Sequence, residues 1–241
     1  MKRDILLLLM CLCILAGVNF LGGDRVVPTA APNTGSQRTL ILDAGHGGED
    51  GGASTAAGDK ESDINLAIVR RTQALMTFLG VEPLLSRDAD ISLHSSGAET
   101  LRQKKVSDLK NRVALVENSP NAMLISVHQN HFTDSRYSGS QVFFNDSDVS
   151  CQWGEHTQEM LRQVLSPGND RKAKPIPDGI YLFDHISCPA ILVECGFLSN
   201  GEEAALLLTG AYQRKVAMAL AGAYFHEIQM IPTTLGGEPC G

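Results

Sequence analysis

Thr39 to Gly48 reads Thr-Leu-Ile-Leu-Asp-Ala-Gly-His-Gly-Gly. A short apolar run closed by a glycine-rich turn is a buried strand followed by a loop. Ala122 to His128 (AMLISVH) and Ala190 to Glu194 (AILVE) repeat that design, and each ends on an ionisable residue. Between them the spacing changes. Ile64, Ala67, Ile68, Leu75 and Phe78 recur at helical intervals, which predicts a helix over 63–79 with Ser62 or Asp63 as N-cap and Gly80 as its end. Leu109, Val113 and Val116 predict a second helix over 108–118. Glu82–Ser86, Ser140–Phe144 and Ile180–Phe183 bring the strands to about six. Helices near Trp153–Leu165 and over 201–228, the latter with a candidate break at Gly210, complete the pattern. Strands alternating with helices give a three-layer α/β single domain, its sheet mixed and largely parallel.

Composition agrees. With 241 residues, 43% hydrophobic and 20% charged, the chain has the length and apolar content of one globular domain plus a short extension. A net charge of −7 and the absence of a basic stripe argue against nucleic acid as a partner. The short run Arg102–Lys105 reads as a solvated helix face. At the N-terminus, Lys2 and Arg3 precede a 17-residue apolar run, Ile5–Leu21, the layout of an export signal and also long enough for a membrane anchor. We read residues 1–21 as signal peptide or anchor, 22–38 as linker, 39–229 as the catalytic domain and 230–241 as a tail. Cys11 and Cys13 sit inside the apolar run. Cys188 and Cys195 flank one predicted strand, so they stand too far apart to bridge each other. Cys151 and Cys240 remain open as partners for either.

Four blocks carry the chemistry: LDAGHGGEDGGA (42–53), DKESDINLA (59–67), LISVHQNHF (124–132) and ILVECGFLSN (191–200). They supply His46, Glu61 and His128, a two-histidine, one-carboxylate set, with Glu194 as an extra acid. This is the inventory of a catalytic zinc centre, with three protein ligands and a position left for water. Open α/β sheets gather their sites at strand carboxyl ends, where His46, His128 and Glu194 fall and towards which Glu61 could lean from a helix start. Each residue also has a plainer reading. His46 could cap a turn, Glu61 could answer a helix dipole, and His128 could be a core histidine bonded to backbone. Glu194 ends a buried strand, where a lone charge costs several kcal/mol, so a salt bridge, a helix N-terminus or a metal-bound water must use it. His131 ranks below His128 as a ligand or substrate contact. His185 could line the cleft, while His94, His156 and His226 read as surface or packing residues. Arg87 and Arg112 could grip a substrate carboxylate, or pair structurally with Asp88 or Asp90.

The blocks resemble those of the zinc-dependent N-acetylmuramoyl-L-alanine amidases, the amidase 3 family. Leu42–Gly48, Glu61, Ser126–Asn130 and Val193–Asn200 match its motifs in order, and Ser86–Asp88 and Leu109–Arg112 resemble its intervening segments. Ala44, where proline is common, and Cys195 are small departures, the latter suggesting a site sensitive to thiol reagents. The resemblance implies Zn2+ held by His46, Glu61 and His128, and Glu194 as acid/base on peptidoglycan. No wall-binding repeat is evident, and only 65 residues separate His128 from Glu194, with no segment reading as an occluding helix. That plan is similar to the spore-cortex, germination-specific amidases that take part in muramic-δ-lactam formation. It implies an exported protein of the cell wall or forespore intermembrane space. With neither a targeting domain nor an occluding helix to restrain it, the domain is expected to hold zinc weakly and to need an activating exported partner. The alternatives are a non-catalytic peptidoglycan-binding protein and a zinc peptidase acting on the stem peptide.

Overall fold

The computed structural model describes residues 38–230. The expectations for the leader, the tail beyond Met230, Cys11, Cys13 and Cys240 lie outside the described residues, as does the linker save Arg38. Among the described residues, no helix is long and apolar enough to cross a membrane.

Six strands form one sheet: β1 (Thr39–Ala44), β2 (Leu84–Leu85), β3 (Ala122–Asn130), β4 (Gln141–Phe144), β5 (Lys174–Pro175) and β6 (Ala190–Phe197). Their order is β2-β1-β3-β6-β4-β5. All neighbours pair parallel except β4 and β6, which run antiparallel. The expected mixed, largely parallel sheet is therefore present. Its helices are α1 (Glu61–Phe78), α2 (Leu101–Glu117), α3 (Asp148–Leu165), α4 (Tyr181–Asp184), α5 (Gly201–Leu207) and α6 (Gly210–Met230).

Alternation along the central strands sorts the side chains into two cores. Leu40, Leu42, Met123, Ile125, Ile191 and Val193 face a large core built with α1, α3 and α6, where Ile68, Trp153 and Leu220 are fully buried. Ile41, Leu124, Ala190 and Leu192 face a smaller one with Val116 of α2 and Leu182 and Phe183 of α4. The second set matters for function. Continued two residues at a time, its rows reach Asp43 on β1, Ser126 and His128 on β3, and Glu194 on β6.

Several boundaries differ from expectation. α1 begins at Glu61, with Lys60 as N-cap and no side-chain cap. Neither Ser62 nor Asp63 caps it, because the backbone N–H groups of Glu61 and Ser62 bond to the carbonyls of Ala53 and Gly51. The loop itself satisfies the helix end. α2 starts seven residues earlier than its apolar pattern suggests, at a capping box formed by Thr100 and Gln103. Ile180–Phe183 is not a strand: it gives most of α4, whose Leu182 and Phe183 are buried. A four-residue apolar run has no period long enough to choose between the two states. The sixth strand is instead Lys174–Pro175 at the sheet edge. The long C-terminal helix does break near Gly210, where Thr209 accepts from the Tyr212 N–H at 3.2 Å.

Candidate metal centre and active-site cleft

β1 delivers the chain to Gly45 and His46 at the carboxyl edge of the sheet. Backbone there is shaped by what must pass close by. His46 itself adopts a left-handed conformation, φ 62°, uncommon outside glycine. A Cβ at Gly45 would lie 2.1 Å from the His128 ring, so only glycine lets that imidazole cross the turn. Gly52 is restricted twice, by φ +69° and by Glu61 Oε2 and His46 at 2.5 and 2.7 Å from a hypothetical Cβ.

The three sequence-expected ligands converge. Glu61 Oε1 lies 2.9 Å from His128 Nδ1 and 3.3 Å from His46 Nε2. The two imidazoles stand edge to face with centroids 5.0 Å apart. The three donor atoms lie within 4.8 Å of one another. Tetrahedral coordination at about 2.0–2.1 Å puts neighbouring donors about 3.3 Å apart, close to the two shorter separations. Two nitrogens and one carboxylate oxygen are also a donor set that zinc accepts. These residues fit a zinc ion.

Glu61 is 3% exposed and thoroughly held. Its Oε2 accepts from the Ala53 N–H, and its Oε1 from the Gln129 N–H and from Asn65 Nδ2. Burial opposes its charge, but hydrogen bonds and charge from His128 and His46 keep its carboxyl well below the usual range. Burial also works against protonation of His46, yet Glu61 and Asp50 outweigh it and hold that imidazole above its ordinary value. Asp50 takes His46 Nδ1 at 3.1 Å, leaving Nε2 turned inward in the manner of a carboxylate orienting a ligand histidine. Asp50 is itself paired with Lys105 of α2 at 3.2 Å, and Lys104 pairs with Glu49. The basic run on α2 is thus tied to the loop carrying His46, besides facing solvent.

Glu194 sits opposite His128 in the β3–β6 register, so both side chains leave the same face. Its Oε2 is shut off from solvent without a hydrogen-bond partner. Burial pushes its carboxyl up to about 7, with Glu61 adding to that and the two histidines opposing it. A carboxyl poised there can both take and return a proton near neutral pH. His46, His128, Glu194, Ser126, Arg112 and Tyr181 all line one cleft of ≈ 180 Å³.

Sequence reasoning missed how this edge is supported. Arg112 pairs with Asp43 and Asp108 and also donates to the carbonyls of Ala44 and His46. Arg87 donates to the carbonyls of Ala44, Gly45, Ser62 and Ala89. The expected pairing with Asp88 or Asp90 is therefore corrected: Arg112 uses other acids, and Arg87 spends its donors on backbone. Asp90 instead accepts from the Gly48 N–H at 2.8 Å. Burial would raise Asp43, but Arg112 together with Ser126 and Ser86 holds it at about 2. Two buried arginines clamp successive carbonyls of the histidine turn. The available signal was local, since both lie in segments that resemble the family.

Other expectations fare differently. His131 is exposed and outside the three-donor group. His185 stacks on Tyr181 with centroids 4.0 Å apart and does not line the cleft. Cys195 is 0% exposed and points into the large core, where burial drives its thiol up. This burial argues against the expected thiol sensitivity, because it shields the sulfur and disfavours the thiolate. Cys188 and Cys195 are both free, so neither pairs with Cys151 or Cys240. His156 and His226, read as surface or packing residues, meet at Glu227.

The profile of the family described as N-acetylmuramoyl-L-alanine amidase, amidase 3, matches residues 40–224. The germination-specific N-acetylmuramoyl-L-alanine amidase of Bacillus subtilis is 35% identical over 204 residues, 83% of each chain. The amidase AmiA of Escherichia coli is 26% identical over 242 residues, 81% of this chain and 79% of that one. Among solved structures, the CwlD amidase of Clostridioides difficile, in complex with the GerS lipoprotein, superposes with a TM-score of 0.78. It is 39% identical and covers 81% of this chain and 100% of its own. On motif, fold and site alike, the chain belongs to the amidase 3 family of N-acetylmuramoyl-L-alanine amidases, hydrolases of the cell wall.

Proposed function

We propose that this is a zinc-dependent amidase acting in spore-cortex maturation, with His46, Glu61 and His128 as metal ligands and Glu194 as the acid/base. The observation that carries the catalytic part is the placement of Glu194, its Oε2 shut off from solvent, on the same face as His128 of the adjacent strand and in the cleft that His46 and His128 line. The bond cut is the amide between the lactyl group of N-acetylmuramic acid and L-alanine. When bound, zinc supplies the Lewis acidity that an unreactive amide and a weakly nucleophilic water both need. Glu194 takes one proton from the attacking water as the new C–O bond forms. It returns that proton to the alanine nitrogen as the C–N bond breaks, leaving a lactyl carboxylate and a free amine. Asp50 and Asn65 keep His46 and Glu61 oriented, and the Arg87–Arg112 clamp holds the turn they depend on.

The cortex assignment rests on similarity to the germination-specific amidase of B. subtilis and to the C. difficile CwlD amidase. That second protein was solved with a lipoprotein, which supports an exported partner here too, one that completes or stabilises a weakly held metal site. The same reading places the protein outside the cytoplasm, with the apolar N-terminal run as signal or anchor. Purified protein should be incubated with denuded peptidoglycan and the products resolved by mass spectrometry. Glycan strands freed from intact stem peptides support the amidase. Shortened stems would mark a stem peptidase, and unchanged material, with or without the exported partner, a wall-binding protein.

A further inference from the structure

α3 and α6 cross on the outside of the large core, and at that crossing three donors meet that the amidase chemistry does not use. His156 of α3 places Nδ1 3.4 Å from Glu227 Oε2 of α6. The His226 ring lies with its centroid 4.1 Å from that of His156, inclined at 70°. Donor atoms of all three residues fall within 4.8 Å of one another. None of the three lines the cleft.

We propose that His156, His226 and Glu227 form a second site for a divalent transition metal of the zinc class, clamping α3 to α6. The 3.4 Å separation already matches a tetrahedron edge at bond lengths of about 2.0–2.1 Å. His226 is exposed, so its ring can swing the remaining distance without disturbing the core. His226 and Glu227 are consecutive, roughly 100° apart around α6; one helix alone would splay them, and His156 closes the group from the neighbouring helix. Glu227 supplies the reason for a cation. It is 1% exposed, and among the described residues no Lys or Arg forms an ion pair with it; its recorded partner is the His156 imidazole. Two neutral imidazoles and one carboxylate suit zinc, copper and nickel better than magnesium or calcium.

The test is zinc stoichiometry, measured by calorimetric titration and elemental analysis on metal-stripped full-length protein. Wild type, His226→Ala, His128→Ala and the double variant are compared. We expect two equivalents for wild type, one for each single variant and none for the double variant. His226→Ala should leave amidase turnover unchanged. Added zinc should raise the thermal midpoint of His128→Ala but not of the double variant, since a ligand binding only the folded state stabilises it. If His226→Ala binds as many equivalents as wild type, the second site is overturned. If His128→Ala keeps both equivalents while His226→Ala loses one, the catalytic ligand set fails and this site stands. His156→Ala, on the other helix, repeats the measurement should His226→Ala fold poorly.

Discussion

Among the described residues, two groups of two histidines and one glutamate occur, and their surroundings differ. At the sheet edge, Glu61 is fixed by three N–H donors besides its histidines, and His46 is oriented by Asp50. At the helix crossing, Glu227 is as buried as Glu61, but the histidines around it are half-exposed or exposed. The first group stands in an open cleft beside a second carboxyl, Glu194. The second group does not line that cleft. A catalytic metal site needs a held geometry, an open position and a proton carrier; a structural one needs only donors. On the two proposals, the same three residue types would serve different ends according to what packs behind them.

The largest expected effect separates the two groups by chemistry. Glu194→Gln should cut turnover by at least about 10²–10⁴-fold while zinc at the sheet edge stays bound, because glutamine keeps the shape and cannot carry the proton. Glu227→Gln should change turnover by less than that range's lower bound. Steady-state rates on peptidoglycan fragments and metal analysis give both readings. Near-normal activity in Glu194→Gln would remove it from the mechanism.

The second test displaces a ligand through the backbone. Gly45→Ala puts a methyl 2.1 Å from the His128 ring, so metal uptake at the sheet edge and activity should both collapse. The equivalent at the helix crossing should persist, as elemental analysis will tell. Equal occupancy in variant and wild type would mean that the turn relaxes freely.

A third concerns the support beneath the catalytic group. Arg112→Met strands the buried Asp43 carboxylate, so stability should fall by about 3–5 kcal/mol, read from denaturant midpoints. Arg162→Met, which breaks an exposed pair with Glu159, should leave the midpoint where it was. Matching shifts in the two variants would show that Asp43 finds another partner.

The smallest effect belongs to α2, which carries Arg112 and Lys105 towards the first group. Thr100→Ala removes the capping box and should lower stability by about 1 kcal/mol, visible by thermal melting, without altering zinc content. A change in zinc content would instead tie the helix end to the site.

Strand ends, glycine turns and the residues on them were legible in the chain. TLILD, AMLISVH and AILVE are apolar runs whose length and closing residue carry their own meaning; His46, His128 and Glu194 fell at or just after the strand ends as read, and Glu61 at a helix start. Short elements were not legible. Tyr181–Asp184 and Lys174–Pro175 are too brief for periodicity, and their state follows from what they cover. The start of α1 escaped for a related reason, since its N–H groups are satisfied by a distant loop backbone that has no side-chain signature.

By itself the sequence determined the α/β class, the order of the blocks and the four residues of the proposed catalytic set. Local physics suffices for the class and the strand ends, because burial, turn formation and strand polarity are written over a few consecutive residues; the roles of the four residues came from the resemblance of their blocks to the family's. Only the tertiary structure decided that Arg87 and Arg112 clamp the histidine turn, Arg112 doing so from the wall of the cleft, and that Cys195 turns away from the cleft. It alone decided that His156 meets Glu227 across a sequence separation of 71. Those facts depend on which helix faces which, and on strand register. Both are fixed by the summed packing of two cores, and no local pattern encodes that.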